Sequence, residues 1–276
     1  RSMKAWNERK KTCFTLGAAV LVLILVTVSG MILSDEALVT DFARKNTAPS
    51  AHFLFGTDWL GRDMLARTLA GLSLSIRIGL LTAGVSAVLA LVLGLAAATL
   101  GRRADAVISW LIDLTMGVPH ILLVMLIALA FGRGLTGVVA GVALSHWPSL
   151  ARVIRGEVIQ LRQAPYILTA SKLGVSRWRV IQRHMLPHLL PQFVVGLVLQ
   201  FPHAILHEAS ITFLGFGLPP EQPAIGVILS ESMRYLTTGR WWLALFPGLA
   251  LMLTVLLFAS IGDRLRRLLD PSSAQR

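Results

Sequence analysis

Five stretches of this chain contain no aspartate, glutamate, lysine or arginine: Cys13 to Leu33, Ile78 to Leu100, Gly134 to Ala151, His184 to His207 and Trp241 to Gly262. A sixth, Ala106 to Gly132, contains only Asp113. A helix needs about 20 apolar residues to cross the hydrocarbon core of a bilayer. The backbone polar groups must also be satisfied inside each span, which a helix does by itself. The runs therefore predict an all-α polytopic membrane protein with six transmembrane helices, the Gly134 run being the shortest. A mean hydropathy of +0.69 and a charged fraction of 14% exclude an ordinary soluble domain. Too few residues lie outside the runs for a separate soluble unit.

Arg1 and Ser2 precede Met3 and read as a leftover tag. The first run is flanked by basic residues and lacks a small-residue cleavage signal, so it reads as a retained span. One cysteine, Cys13, excludes an intrachain disulfide. The net charge of +12 suggests nucleic acid at first sight, but the basic residues follow membrane topology instead. With the N-terminus inside, the inner segments hold Arg1, Lys4, Arg9, Lys10 and Lys11, then Arg102 and Arg103. Seven more fall between Arg152 and Arg183, followed by Arg264, Arg266, Arg267 and Arg276. These are 18 of the 26 Lys and Arg, a bias that predicts both termini in the cytoplasm.

The resulting plan has a cytoplasmic N-terminus (1–12), a first span (13–33), a periplasmic segment (34–74), a transmembrane core (75–262) and a cytoplasmic C-terminus (263–276). In the periplasmic segment, Thr57 or Asp58 can cap a helix with Leu60, Met64 and Leu65 on one face and Arg62, Asp63 and Arg67 on the other. That pattern predicts an interfacial helix lying on the membrane. The last outer loop, 215–240, is punctuated by Gly and Pro and cannot be one continuous helix. Pro119, Pro202 and Pro247 fall inside spans three, five and six. Each removes an amide donor, giving either static bends or a hinge line.

A polar island, Ala164 to Pro187, lies between two apolar runs and carries Lys172, Arg177, Arg179 and Arg183. Pro165 suits a helix's first turn, and Gly174 suits a left-handed stop. Ser176 can cap a second helix through Trp178, Val180, Ile181 and His184, ended by Leu186-Pro187. Small residues Thr169, Ala170 and Ser171 would let another surface approach the first helix. The island reads either as a docking lever for a partner or as a solvated amphipathic loop.

Charged or titratable groups within spans are expensive and often line a path. Asp113 lies where it can reach interfacial water, pair with Arg102 or Arg103, or face a pathway. His203 and His207 are four apart on one helix face, the spacing of a two-histidine metal site, with Glu208 beside them. The same histidines can equally be hydrogen-bonded packing residues. His184 and His188 share the spacing but are assigned no metal.

The island resembles the EAA loop of ABC-importer permeases at Tyr166, Thr169, Ala170, Gly174, Arg183, His184, Leu186 and Pro187. Leu168 stands where that loop has Glu. Gly56-Thr57-Asp58-Trp59-Leu60-Gly61-Arg62-Asp63, followed by Arg67, resembles the GTDxLGRDxxxR signature of the second permease subunit of dipeptide, oligopeptide and nickel importers. Phe213-Leu214-Gly215-Phe216-Gly217, Gly262-Asp263 and Leu269-Asp270-Pro271 are similar to the same subunit.

This resemblance implies a type I ABC importer permease fold with a cytoplasmic coupling loop at 164–187. Tyr166, Thr169, Ala170, Ser171, Gly174, Arg177, Arg183, His184 and Pro187 would couple to the ATPases. It implies a homologous second permease, two cytoplasmic ATPase subunits binding ATP and magnesium, and a periplasmic or lipid-anchored substrate-binding protein, all at a bacterial inner membrane. The chain has no Gly-Lys dipeptide and so no phosphate-binding loop of its own. Leu144-Ser145-His146-Trp147 and the histidine pair before Ser210 look like the nickel permeases, which implies nickel or a metal chelate as cargo. A di- or oligopeptide cargo is the alternative. An ATP-independent secondary transporter or channel would show repeats or intramembrane charge chains, and a membrane enzyme a catalytic constellation; the sequence has neither.

Overall fold

The computed structural model describes residues 2–269, the side chains of residues 2–9 and Ser171 excepted. Arg1, the expected coupling role of Ser171, Asp270-Pro271 and Arg276 thus lie outside the described residues. Its longest helix, α2 (Met64–Thr99), is the axis of the fold. At 36 residues it is about 54 Å long by the 1.5 Å rise per residue, well beyond a hydrocarbon core of about 30 Å. Asp63 begins it by accepting from the amides of Leu65 (2.7 Å) and Ala66 (3.2 Å). Gly101, at φ +103°, follows its end and turns the chain back.

The other spans gather on α2 because its buried positions are small: Ala66, Ala70, Gly71, Ser75, Gly79, Ala83, Ala87, Ala90, Gly94 and Ala97 among them. Small side chains let helix backbones approach closely in a membrane, where apolar burial gives helices no preference for one another over lipid. Helix α5 (Leu135–Arg162) lies along α2, α1 (Ser2–Ile32) and α8 (Leu186–Phe213) flank it, and α10 (Trp242–Leu269) packs on α1 and α8. At Gly94 a Cβ would come 2.8 Å from the carbonyl oxygen of Ala151. At Gly79 it would come 2.5 Å from Cγ1 of Ile205.

Among the described residues, five helices are long and apolar enough to cross a membrane, and a bent pair of helices makes a sixth when counted as one span. That pair, α3 (Arg102–Gly117) and α4 (His120–Ala130), replaces the single continuous helix expected over 106–132. The two halves meet at 103°. Pro119 pushes its predecessor out of the helical region, and Val118 is accordingly extended at φ −88°, ψ 137°. Two ion pairs brace α3 against α5: Asp105 to Arg155 (2.8 Å) and Asp113 to Arg152 (2.7 Å). The expected partners of Asp113 were Arg102 and Arg103. They lie three helical turns away along α3, about 15 Å, out of side-chain reach.

One further expectation changes. No interfacial helix forms at 57–65: Leu60 sits in a tight loop, and the helix beginning at Met64 is α2 itself. Among the described residues, segment 34–63 holds only two short 3-10 turns, Glu36–Leu38 and Phe42–Arg44. As expected, 215–240 is not one continuous helix: a shorter helix, α9 (Ile225–Leu236), lies within it, with Ile225, Val227 and Ile228 buried. The boundaries drawn at 12/13, 74/75 and 262/263 fall inside α1, α2 and α10. An apolar run reports the bilayer, whereas a helix continues past it for as long as its backbone is hydrogen-bonded.

Leucine at Gly94 would have to displace the Ala151 backbone, and overpacking of this kind costs about 1–3 kcal/mol. Gly94→Leu is therefore expected to lower the thermal unfolding midpoint of the detergent-solubilised chain. Gly84→Leu, whose Cβ would meet nothing within 4 Å, is expected to leave it unchanged.

Candidate functional site

Functional side chains gather at three levels of the molecule. At one end, Gly56 (φ +72°) and Gly61 (φ +76°) turn the chain tightly enough to bring Thr57 opposite Asp63. Asp58 is held inside this turn, accepting from the amides of Leu60 (2.8 Å) and Arg62 (3.0 Å). Two arginines converge on its Oδ2: Arg62 Nε at 2.6 Å and Arg67 Nη1 at 2.7 Å. Arg67, 1% exposed, also reaches Glu231 of α9 at 2.9 Å. Trp59 stacks on Tyr235 of α9 with ring centroids 4.7 Å apart. Trp242 at the start of α10 donates to the Thr57 carbonyl at 3.4 Å.

The amphipathic pattern had placed Arg62 and Arg67 on a solvated face. Both are buried, because two carboxylates, Asp58 and Glu231, neutralise them. The signature segment thus clamps the outer loop, α2, α9 and α10 together. Beside it lies a cavity of about 580 Å³ whose lining includes Arg133, Thr212, Glu231 and Arg234.

At the opposite end the island folds as two short helices, α6 (Pro165–Lys172) and α7 (Arg177–Val180). Gly174 is left-handed at φ +79°, and Ser176 caps α7 by accepting from the Arg179 amide at 3.4 Å. Its inner face, including Ile167, Ala170, Val180 and Met185, joins the hydrophobic core. Ala170 is half-buried and packs against that core. The outer face carries Tyr166, Leu168, Thr169, Leu173 (79% exposed) and Trp178 (65% exposed), with Arg177 and Arg183 also exposed. Tyr166 and His184 approach with ring centroids 6.0 Å apart. Leu186-Pro187 does not end the second helix. One π-helical turn, Ile181–Met185, joins α7 to α8, and Pro187 follows it in the first turn of α8.

Between these ends, a cavity of about 610 Å³ opens at the break between α3 and α4. Thr115, His120, Ser145, His146, Gln200, His203 and His207 are among its lining residues. Ligand nitrogens of His120, His146 and His207 all lie within 4.8 Å of one another. The expected His203–His207 pair is not the cluster: His203 is exposed, and His207 instead turns toward His120 and His146. Glu208 is fully buried, accepts from Thr212 Oγ1 at 3.1 Å and does not line the cavity. Asp113 does not line it either. His120 went unread because spacing within one helix cannot register partners on three helices. The available signal was that three separate apolar runs carry His120, His146 and His207.

A family model described as "Binding-protein-dependent transport system inner membrane component" matches residues 90–275. The chain belongs to this family. It is 31% identical over 270 residues to the dipeptide transport system permease protein DppC of Bacillus subtilis (strain 168), covering 97% of this chain and 84% of that protein. It is 33% identical over 254 residues to the probable D,D-dipeptide transport system permease protein DdpC of Escherichia coli (strain K12), covering 92% and 85%. A glutathione transport system permease protein, GsiD, of Pectobacterium atrosepticum is 34% identical over 270 residues, covering 96% and 89%. Among solved structures, the inward-facing MetNI methionine ABC transporter aligns with a TM-score of 0.60 at 16% identity, covering 75% of this chain and 98% of that one.

The fold of this binding-protein-dependent permease is that of a type I importer, and its role is that of an ABC importer's transport subunit. Nickel as cargo gains no support from these relatives, whose names refer to dipeptides and glutathione. The histidines that suggested it do lie in the permease's central cavity, but they do not name what passes.

Removing Asp58 would leave two buried guanidinium groups short of a counter-ion. Loss of one partner from a buried ion pair costs about 3–5 kcal/mol. Asp58→Ala is thus expected to reduce sharply the amount of folded permease extracted from membranes. Asp41→Ala, which removes the exposed 2.7 Å pair with Arg44, is expected to cost under about 1 kcal/mol.

Proposed function

We propose that this permease imports di- or oligopeptides as half of a translocation path. A homologous second permease supplies the other half, and an external, periplasmic or lipid-anchored binding protein delivers the cargo. Two ATPase subunits, which bind ATP and magnesium, dock on α6 and α7 from the cytoplasm. The excess of basic residues at one end supports placing both termini and the island on the cytoplasmic side of a bacterial inner membrane. The peptide reading rests on the dipeptide and glutathione permeases that match almost the full chain. A cavity of about 610 Å³ falls within the roughly 300–1,000 Å³ usual for small-molecule sites.

One observation carries the coupling half of the proposal. The island buries one face in the bundle and leaves Leu173 and Trp178 outward among arginines. Large apolar side chains held outward on a basic, shaped projection are what a protein partner covers. Leu168, 45% exposed on the same side, makes that contact apolar where related loops carry an acid. ATP-driven closure of the docked subunits then moves the island, and the spans turn between two arrangements.

Leu173→Asp places a charge where a partner must exclude water but where this chain packs nothing. It is expected to lower peptide uptake at least tenfold with normal permease levels in the membrane, and to release the ATPase subunits during purification. Wild-type uptake by this variant would remove the docking assignment.

A further inference from the structure

The central cavity contains a constellation that the importer reading does not use. His120 begins α4 just beyond the Pro119 break, His146 stands on α5 and His207 on α8. Their ring centroids are 4.4, 4.5 and 5.0 Å apart. Nδ1 of His146 lies 2.8 Å from the carbonyl oxygen of Val142. A carbonyl can only accept, so that nitrogen carries the hydrogen and Nε2 keeps the lone pair. Nε2 of His146 is buried without a partner, and so is Nε2 of His120. Buried polar atoms in native proteins are almost always satisfied, so two bare ring nitrogens in one cluster indicate that a missing group belongs there.

We propose that His120, His146 and His207 bind a divalent transition-metal ion of the zinc, nickel or cobalt type on the wall of this cavity. Imidazole is a good ligand for these ions, whereas magnesium and calcium require oxygen ligands. No carboxylate joins the set, since Glu208 is buried away from the cavity and Asp113 is paired with Arg152. The Val142 carbonyl provides the outer hydrogen bond that typically orients a metal-binding histidine. A tetrahedral ion with bonds of about 2.0–2.1 Å sets its nitrogens about 3.4 Å apart. Small ring rotations bring nitrogens that already lie within 4.8 Å to that spacing. The fourth position faces the cavity. Three neutral ligands and an open position make an exchangeable site, not a structural one that holds its ion permanently.

The probe is Co²⁺, titrated into the full chain in lipid nanodiscs. One ion per chain is expected, with the visible ligand-field bands of tetrahedral cobalt, which excess Zn²⁺ should abolish. His120→Gln, His146→Gln and His207→Gln should each weaken binding about tenfold or more, a loss at least as large as that for removing an outer-shell partner. His203→Gln, at an exposed position on the cavity wall, should not. Absence of the bands in the wild-type chain, or their survival when all three histidines are replaced, would overturn the proposal. X-ray absorption at the zinc edge of the loaded wild-type chain needs no variant: three imidazoles support the site, and one or none refutes it. Neither measurement involves transport, so a negative result leaves the peptide-importer reading standing.

Discussion

Close approach of backbones along α2 is the constraint on which the rest of the bundle depends. In lipid, burying an apolar side chain against another helix gains little over burying it against acyl chains, and close packing must supply the difference. Helix α2 meets that demand with alanine, glycine, serine and threonine along much of its length. Bulk is left to its neighbours, as where Ile205 fills the space over Gly79 and Ile154 that over Gly94. Many large apolar residues elsewhere, including Leu21, Leu25, Leu81, Val88 and Leu253, remain exposed because their solvent is lipid.

Charge is distributed by the same logic. At the Met64 end of α2, Asp58, Arg62 and Arg67 are buried as a balanced group with Glu231. A compact turn first builds a cage of amides around Asp58. Because the carboxylate is already fixed by backbone donors, the arginines find a preformed partner, and their guanidinium groups lie over Trp59. The contacts bind four segments that are remote in sequence. The positioning of α9 thus depends on Arg67, which precedes its partner Glu231 by 164 positions.

Much of this was legible in the residues, though unevenly. The uncharged runs predicted the spans, since a bilayer reads composition directly. Gly174 and Ser176 announced the two-helix island because a left-handed stop and a hydroxyl cap act within a few residues. What could not be read was long-range. Arg62 and Arg67 have the local pattern of a wet helix face, and only the distant Glu231 and the fold of the 56–63 turn make them interior. The histidine pair at 203 and 207 satisfied a local rule, yet α4 and α5 approach from one side and select His207 alone. Pro187 looked terminal because a proline usually is; the π-helical turn before it lets the helix absorb the defect.

That turn has a mechanical consequence. Arg177 to Phe213 runs as one 37-residue helical shaft, so the exposed Trp178 and the cavity residue His207 are carried by the same piece of backbone, about 44 Å apart along its axis. A torque applied at the basic end cannot be lost at a loop, because none intervenes. The compliant points are Pro191 and Pro202, each of which removes one rung of the hydrogen-bond ladder, and the second lies just below the histidine cavity. A displacement of the basic end would therefore bend the shaft next to the chamber.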